Sequence, residues 1–122
     1  MKMGNYNWFT DAELAGLKDP YPAMIDAARG KLGKPIKLTF TTGGKHCGHS
    51  AHYIGAAGDI GTGYLAEGFE RDSYVYGLVA ALIAVGFKRI EICPAHVHAD
   101  IGDQIEPDGT YPAPVLILGQ EA

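Results

Sequence analysis

Residues 86–101 read Gly-Phe-Lys-Arg-Ile-Glu-Ile-Cys-Pro-Ala-His-Val-His-Ala-Asp-Ile, and this stretch decides the fold. Residues 88–93 predict one strand, a proline breaks it, and residues 95–101 predict a second strand. Just before them, residues 74–85 are nearly all apolar, with Gly86 placed as a stop signal. This pattern predicts a central helix that is buried on most sides.

The remaining elements lie on both sides of this stretch. A capping-box pattern, Thr10-x-x-Glu13, predicts a short first helix, and Pro22 suits the first turn of a second helix, which Gly30 and Gly33 end. The predicted elements are helices over residues 11–18 and 22–28, strands over 35–41, 57–61 and 115–118, and a turn over 107–110. Helices, a strand, a helix and then successive strands predict an α+β fold, with a mainly antiparallel sheet and helices packed on one side.

The composition restricts the class of protein. The chain has 122 residues, 47% of them hydrophobic, which fits one compact domain over residues 1–122. Its net charge of -4 argues against nucleic acid or an anionic membrane as a partner, since it offers no basic stripe. No apolar run reaches transmembrane length, and the N-terminus lacks the apolar region of a secretory signal. We therefore expect synthesis in the cytoplasm without a signal peptide.

Two short clusters hold the side chains that zinc prefers. His52 and Asp59 form the first, and His96 and His98 form the second. Imidazole and carboxylate groups suit Zn²⁺, and three protein ligands with one water are typical of a catalytic site. The sequence therefore predicts one zinc ion held between a loop-and-strand unit and a distant strand.

The alternation of side chains along a strand adds Asp100 to the second cluster. Residues two apart in a strand share a face, so His96, His98 and Asp100 are expected to point one way and the residues between them into the core. Taken alone, such a face is more often the solvated side of an antiparallel sheet than a metal site. The orientation of Glu91, beyond the proline, does not follow from the pattern.

The two cysteines, Cys47 and Cys93, are the least informative residues near these clusters. A cysteine pair in a cytosolic chain is more often reduced than bridged, although the position of both beside the histidine clusters leaves a disulfide open. The segment His46-Cys47-x-His49 is an alternative ligand cluster, but an ordinary glycine-flanked loop is the favoured interpretation.

The combined pattern resembles a known family. Ser50-x-His52-x-x-Gly55-x-Ala57-x-Asp59, followed by a helix, Gly-Phe and His96-x-His98, is similar to the signatures of the zinc D-Ala-D-Ala carboxypeptidases. These belong to the superfamily of lysostaphin, D-Ala-D-Ala metallopeptidases and sonic hedgehog. The resemblance extends from about residue 35 to residue 102. It implies a hedgehog/DD-peptidase-like fold and one Zn²⁺ held by His52, Asp59 and His98.

The resemblance also implies roles around the metal. Many relatives carry Glu or Asp three residues before the last ligand, where this chain has Ala95. His96 is therefore assigned to proton transfer, because an imidazole pKa of about 6.5 suits that role. Asp100 is assigned as the acceptor that orients a ligand imidazole. The alternative for Asp100 is an exposed strand carboxylate.

Substrate contacts are the weakest part of the resemblance. Relatives carry an arginine for a substrate carboxylate, where this chain has Lys45, so Lys45 is assigned to substrate binding together with Ser50 and Arg71. An ordinary solvated lysine is an equal alternative for Lys45, since an ammonium lacks the bidentate fork of arginine. For Arg71 the alternative is packing at the start of the helix.

The implied function is a zinc metallopeptidase that cuts peptide bonds in the stem peptides of bacterial peptidoglycan. A small catalytic domain of this kind resembles phage endolysins and bacterial murein peptidases, which act on the cell wall. A non-hydrolytic zinc-bearing binding or signalling module is the alternative, because the hedgehog domain carries a similar site. A metal-free domain with a chance match is the third reading. Neither the bond that is cut nor the oligomeric state follows from the sequence.

Overall fold

The computed structural model describes residues 6–40, 57–101 and 115–118, with only the backbone described for Phe40 and for residues 115–118. This part of the chain holds two α-helices and five strands. In chain order they are α1 (Tyr21–Leu32), β1 (Leu38–Phe40), β2 (Ala57–Gly61), α2 (Phe69–Val85), β3 (Arg89–Ile92), β4 (His96–Asp100) and β5 (Val115–Leu118). The turn expected over residues 107–110 lies outside the described residues.

The five strands form one sheet in the order β1-β2-β4-β3-β5. The neighbours among β1, β2, β4 and β3 are antiparallel, and β5 joins β3 in parallel at the edge. Strands β3 and β4 form a hairpin in which the Cys93 N–H donates to the His96 carbonyl at 2.9 Å. The expected α+β fold with a mainly antiparallel sheet is confirmed.

The register gives the sheet one apolar face and one polar face. Ile60 lies opposite Val97, and Ile90 lies opposite Ala99. Because facing residues in neighbouring strands point to the same side, these four side chains share one face, and each is at most 1% exposed. Ile101 packs against the same core from the end of β4. The expected inward orientation of the residues between His96, His98 and Asp100 is confirmed.

Both described helices pack on the apolar face. The Tyr21 ring of α1 meets Phe87 edge-on, with ring centroids 5.1 Å apart, and its hydroxyl donates to the Ala99 carbonyl at 2.8 Å. Leu78 and Leu82 of α2 belong to the same buried cluster. One hydrophobic core therefore lies between the sheet and the helices, and the polar face of the sheet is turned away from it.

Glycines end both helices. Gly33 after α1 has φ of 72° and Gly86 after α2 has φ of 105°, the left-handed conformation that favours glycine. The predicted stops at Gly33 and Gly86 are confirmed. Gly30 lies inside α1, which continues beyond the expected Ala28 to Leu32. A single glycine weakens a helix by only about 1 kcal/mol, so the tertiary contacts of α1 outweigh it.

The helix predicted over residues 11–18 was wrong, although its capping box is formed. The Thr10 N–H donates to Glu13 Oε1 at 2.8 Å, and the Glu13 N–H donates to Thr10 Oγ1 at 3.2 Å. The segment after it consists of turns, with i to i+3 hydrogen bonds such as Ala15 N–H to the Ala12 carbonyl at 3.3 Å. So short a segment gains too few i to i+4 hydrogen bonds to offset the free-energy cost of helix nucleation. Tight turns satisfy its backbone N–H and carbonyl groups instead.

Helix α2 begins earlier and is more exposed than predicted. It starts at Phe69, and Tyr74, Leu78, Ala81 and Leu82 are its buried residues. Phe69, Tyr76 and Ile83 are 87%, 80% and 44% exposed. The expectation of a helix buried on most sides is corrected, because a helix lying on one face of a sheet buries only the stripe that contacts the core. Neither described helix is long and apolar enough to cross a membrane.

We predict that Gly58→Ala destabilises the fold. A Cβ at Gly58 would lie 2.8 Å from the Tyr21 hydroxyl oxygen, so the ring or the strand must shift. We expect a loss of about 1–3 kcal/mol in the free energy of unfolding, measured by urea denaturation. The matched control is Gly30→Ala inside α1, where the nearest atom, Trp8 Nε1, lies at an ordinary 3.5 Å. Wild-type stability in Gly58→Ala would contradict the close approach of Tyr21 to β2.

Candidate metal centre

The described residues contain part of the predicted site. The structure describes five of the predicted residues, namely Asp59, Arg71, His96, His98 and Asp100. The other predicted residues, namely Lys45, Ser50 and His52, lie outside the described residues, as does the alternative cluster of His46, Cys47 and His49.

Asp59 and His98 meet at the centre of the polar face. They lie directly opposite each other in the β2–β4 pairing, and both are 0% exposed. Asp59 Oδ1 is 3.3 Å from His98 Nδ1, and Asp59 Oδ2 is 3.8 Å from His96 Nε2. The structure thus brings together one carboxylate and both histidines, as the two sequence clusters predicted.

Asp100 contacts the other nitrogen of the His98 ring. His98 Nε2 lies 2.8 Å from Asp100 Oδ2, a distance typical of a charge-assisted hydrogen bond. A carboxylate is an acceptor, so Nε2–H is the donor and Nδ1 is the nitrogen directed at Asp59. Asp100 is 0% exposed, so its alternative as an exposed carboxylate is wrong. Its role beside a metal ligand stays a prediction.

The ring of His98 is held between two carboxylates. Burial disfavours the charged ring, but the hydrogen bonds to Asp100 and Asp59 and their negative charges outweigh burial and raise the pKa of His98 to about 9. Without a metal, the ring is therefore a cation at neutral pH. His98 is not the solvent-facing histidine that an isolated His-x-His pair usually indicates.

Two further ionisable residues on this face were missed by sequence reasoning. Glu91 lies opposite His98 and Arg89 lies opposite Asp100 in the β3–β4 pairing, which places both on the polar face. Arg89 Nη2 is 3.2 Å from Glu91 Oε1, and their side chains are 10% and 4% exposed. The Arg-x-Glu spacing indicated that Arg89 and Glu91 share one face of a strand. Which face that is depends on the β3–β4 turn, whose geometry does not follow from the sequence.

Charged side chains are concentrated on this face. Among the described residues, the buried charged groups are the carboxylates of Asp59, Glu91 and Asp100 and the guanidinium of Arg89, with His98 between them. Buried charge is costly unless it is compensated, and a proton on His98 compensates part of the charge of Asp59 and Asp100.

The described donors fit part of a zinc site. In the described part of the chain, no group of three His, Cys, Asp or Glu side chains is arranged to hold a metal ion. Two donors are in place, however: in a tetrahedral site with bonds of about 2.0–2.1 Å, two ligand atoms lie roughly 3.3 Å apart. The 3.3 Å between Asp59 Oδ1 and His98 Nδ1 matches that edge. The third expected ligand, His52, is outside the described residues.

Arg71 is engaged with the backbone at the start of α2. Its Nε and Nη2 donate to the Leu65 carbonyl at 3.2 and 2.7 Å, Nη2 donates to Gly63 at 3.2 Å, and Nη1 donates to Pro94 at 3.3 Å. These bonds tie the β2–α2 connection to the β3–β4 turn. They favour the packing alternative for Arg71, and its role as a substrate contact stays a prediction.

A cavity of about 610 Å³ lies beside the start of β4. It is lined by residues from the β2–α2 connection, from α2 and from the β3–β4 turn, including Thr62, Arg71, Tyr76, Ile92 and Pro94. Neither His96 nor His98 is among the described residues that line it. Ile92 lies opposite Val97 on the apolar face of the sheet, where α2 also packs, so the cavity lies on the helix side and not on the polar face. Its size is within the range of small-ligand pockets.

Cys93 at the β3–β4 turn is disulfide-bonded, which answers the question between a reduced and a bridged cysteine that the sequence left open. The other cysteine of the sequence, Cys47, lies outside the described residues. Disulfides persist in oxidising environments such as the cell exterior, whereas the reduced state was expected for a cytosolic chain. Composition alone does not reveal the environment in which a chain works.

Comparison with protein-family models, with curated proteins and with solved structures finds no match to this chain. The assignment of the site therefore depends on its own geometry. That geometry is a carboxylate of Asp59 3.3 Å from one nitrogen of His98, the carboxylate of Asp100 2.8 Å from the other, and His96 beside them.

We predict that the metal-free protein loses stability as the pH rises from about 6.5 to about 9. The pKa of His98 in the folded state, about 9, lies above the ordinary value of 6.5. Its stabilising contribution is therefore complete below about pH 6.5 and is lost as the pH rises through about 9. Urea denaturation after chelator treatment should show a decrease of a few kcal/mol across this window. The His98→Gln variant is the control, and an equally steep decrease in it would contradict the assignment.

Proposed function

We propose that this protein is a zinc metallopeptidase with a hedgehog/DD-peptidase-like fold, which hydrolyses peptide bonds in bacterial cell-wall peptides. The observation that carries the proposal is the arrangement Asp59–His98–Asp100. Asp59 and His98 present donor atoms at zinc-ligand spacing, and Asp100 contacts the opposite nitrogen of the imidazole. Carboxylate–histidine–zinc arrangements of this kind are typical of zinc enzymes.

The metal would be held by Asp59 Oδ1, His98 Nδ1 and His52. When bound, zinc would lower the pKa of a water molecule to about 7 and polarise a carbonyl group. Asp100 holds the Nε2–H of His98, so Nδ1 retains its lone pair for the metal.

His96 is suited to moving the proton. Its side chain is 12% exposed, whereas that of His98 is 0% exposed, so His96 lies nearer the surface than His98. His96 Nε2 lies 3.8 Å from Asp59 Oδ2, which places it beside the metal ligand. As a neutral base it accepts a proton from the attacking water, and as a cation it donates a hydrogen bond to the oxyanion of the tetrahedral state.

The substrate class rests on the resemblance of the sequence to the cell-wall peptidases. The disulfide at Cys93 agrees with work outside the cytoplasm, where the cell wall lies. Lys45 and Ser50 remain predicted substrate contacts, with Lys45 suited to a carboxylate.

We predict one zinc ion per chain, measured by elemental analysis of the protein purified without chelator. His52→Ala and Asp59→Asn should each remove most of the zinc, because each variant removes a ligand. At a zinc concentration of about 100 times the dissociation constant, the metal should stabilise the fold by about 2.7 kcal/mol in thermal unfolding. Glu67→Gln, which changes a carboxylate that is 89% exposed, is the control. Zinc-free protein that ignores both added zinc and chelators would refute the proposal.

We predict that His96→Gln retains zinc but loses activity. General acid–base catalysis contributes about 10²–10⁴-fold, so kcat should fall within that range while the zinc content stays at the wild-type level. The assay is the release of peptide fragments from purified peptidoglycan, followed by mass spectrometry. Fragments that disappear on chelation and return with zinc support the peptidase. A zinc-loaded wild-type protein that releases no fragments would favour the non-hydrolytic binding module instead.

A further inference from the structure

We propose that the outer face of α2 is a self-association surface, on which two copies of this chain pack their α2 helices antiparallel. The face carries an apolar stripe formed by Phe69, Tyr76 and Ile83, which are 87%, 80% and 44% exposed. Of the five large hydrophobic residues that are exposed in the described part of the chain, these three lie on α2. Exposed apolar side chains gathered on one face commonly mark a contact with a partner.

The helical geometry places the stripe on one side of α2. Its three residues follow one another at intervals of seven, so their side chains lie within about 40° of one another around the helix axis. Ala80, which is also exposed, lies one turn after Tyr76 on the same side. The stripe is directed away from Tyr74, Leu78 and Leu82, the residues that α2 buries against the core. It therefore lies on the opposite side of the molecule from the polar face of the sheet.

The spacing of the stripe is symmetric about its centre, which suits a two-fold dimer. Phe69 precedes Tyr76 by seven residues, and Ile83 follows it by seven. In an antiparallel pair with Tyr76 at the two-fold axis, Phe69 of each copy therefore faces Ile83 of the other, and the two tyrosine rings meet at the centre. A closed two-fold dimer requires such a self-complementary patch.

The charges at the two ends of α2 favour the antiparallel arrangement. Glu70 and Asp72 lie in its first turn, and Glu67, just before it, is 89% exposed. Arg71 of the same turn donates to backbone carbonyl groups, and the exposed Lys88 follows the end of the helix. Antiparallel packing brings Lys88 of one copy toward the acidic start of α2 in the other and opposes the two helix dipoles, whereas parallel packing brings like charges together. The same acidic start disfavours an anionic lipid surface as the occupant.

The exposed area of the stripe is sufficient for a weak, reversible dimer. A large aromatic side chain carries about 150–250 Å² of surface, so the two rings of the stripe supply roughly 300–400 Å² in each copy. Ile83 and Ala80 add to this, which brings the area buried over two copies close to the roughly 1,000 Å² at which specific interfaces begin. Interfaces of this size are typical of transient contacts, so we expect association in the micromolar range.

The self-association is measured by sedimentation velocity of the full chain, at concentrations from about 1 μM to about 1 mM. We expect a monomer–dimer equilibrium in the wild type and about 100-fold weaker association in Tyr76→Glu, because this variant removes both central rings and sets two carboxylates at the axis. Phe69→Ser is a second variant with the same direction of change. Both positions are exposed, so thermal unfolding should stay close to that of the wild type.

The matched control is Tyr64→Glu, the same substitution at a tyrosine that is 51% exposed and lies before α2, beside the Lys37 ammonium. Its association should equal that of the wild type. A wild-type protein that stays monomeric over the whole concentration range would overturn the inference. Association as tight in Tyr76→Glu as in the wild type would overturn it as well.

The antiparallel pairing is tested by isotope-filtered NMR of a mixed sample, in which one copy carries ¹³C-labelled isoleucine methyl groups and the other is unlabelled. We expect nuclear Overhauser effects between the Ile83 methyl groups of one copy and the Phe69 ring of the other. Within one copy these residues are 14 positions apart, roughly 21 Å along the helix, so the effect cannot arise within one chain. A dimer without this contact, or one in which Ile83 contacts Ile83 of the other copy, refutes the antiparallel pairing.

Discussion

The pairing of β4 with β2 on one side and β3 on the other is the constraint on which the rest of the structure depends. It places Asp59, His98 and Glu91 in one row across three strands, on the face opposite Val97. A slip of one residue in either pairing would turn the polar side chains into the hydrophobic core. The core and the candidate metal centre are therefore specified by the same register, and neither can change without the other.

The polar face of the sheet holds the buried charged groups of the described residues. Asp59, Glu91 and Asp100 are buried carboxylates, and their cost is reduced by Arg89 and by the His98 ring between them. A proton on His98 compensates part of the charge of Asp59 and Asp100. The core on the other face supplies the hydrophobic stabilisation that allows such a cluster to persist.

Much of the fold was predictable because local signals and packing agreed. The bounds of β2 and β5 were predicted as observed, and the left-handed glycines after α1 and α2 were recognised from sequence. The short helix before α1 was not formed, because a capping box alone does not offset nucleation. The exposed side of α2 was missed because apolar composition does not reveal how many sides of a helix have neighbours. The parallel edge pairing of β5 with β3 has no local signal, since it joins distant segments.

The candidate site, like the fold, was predictable only in part from the sequence. The residue types and the two-residue spacing of His96, His98 and Asp100 were determined by the sequence alone, because strand geometry relates side-chain direction to spacing. Only the tertiary structure decided that this face is buried, that Asp59 lies 3.3 Å from His98, and that Arg89 and Glu91 lie on the same face. The physical reason is that a sequence pattern fixes the side of a strand on which a residue lies, whereas burial, charge compensation and ligand spacing arise only when separate strands are paired in register.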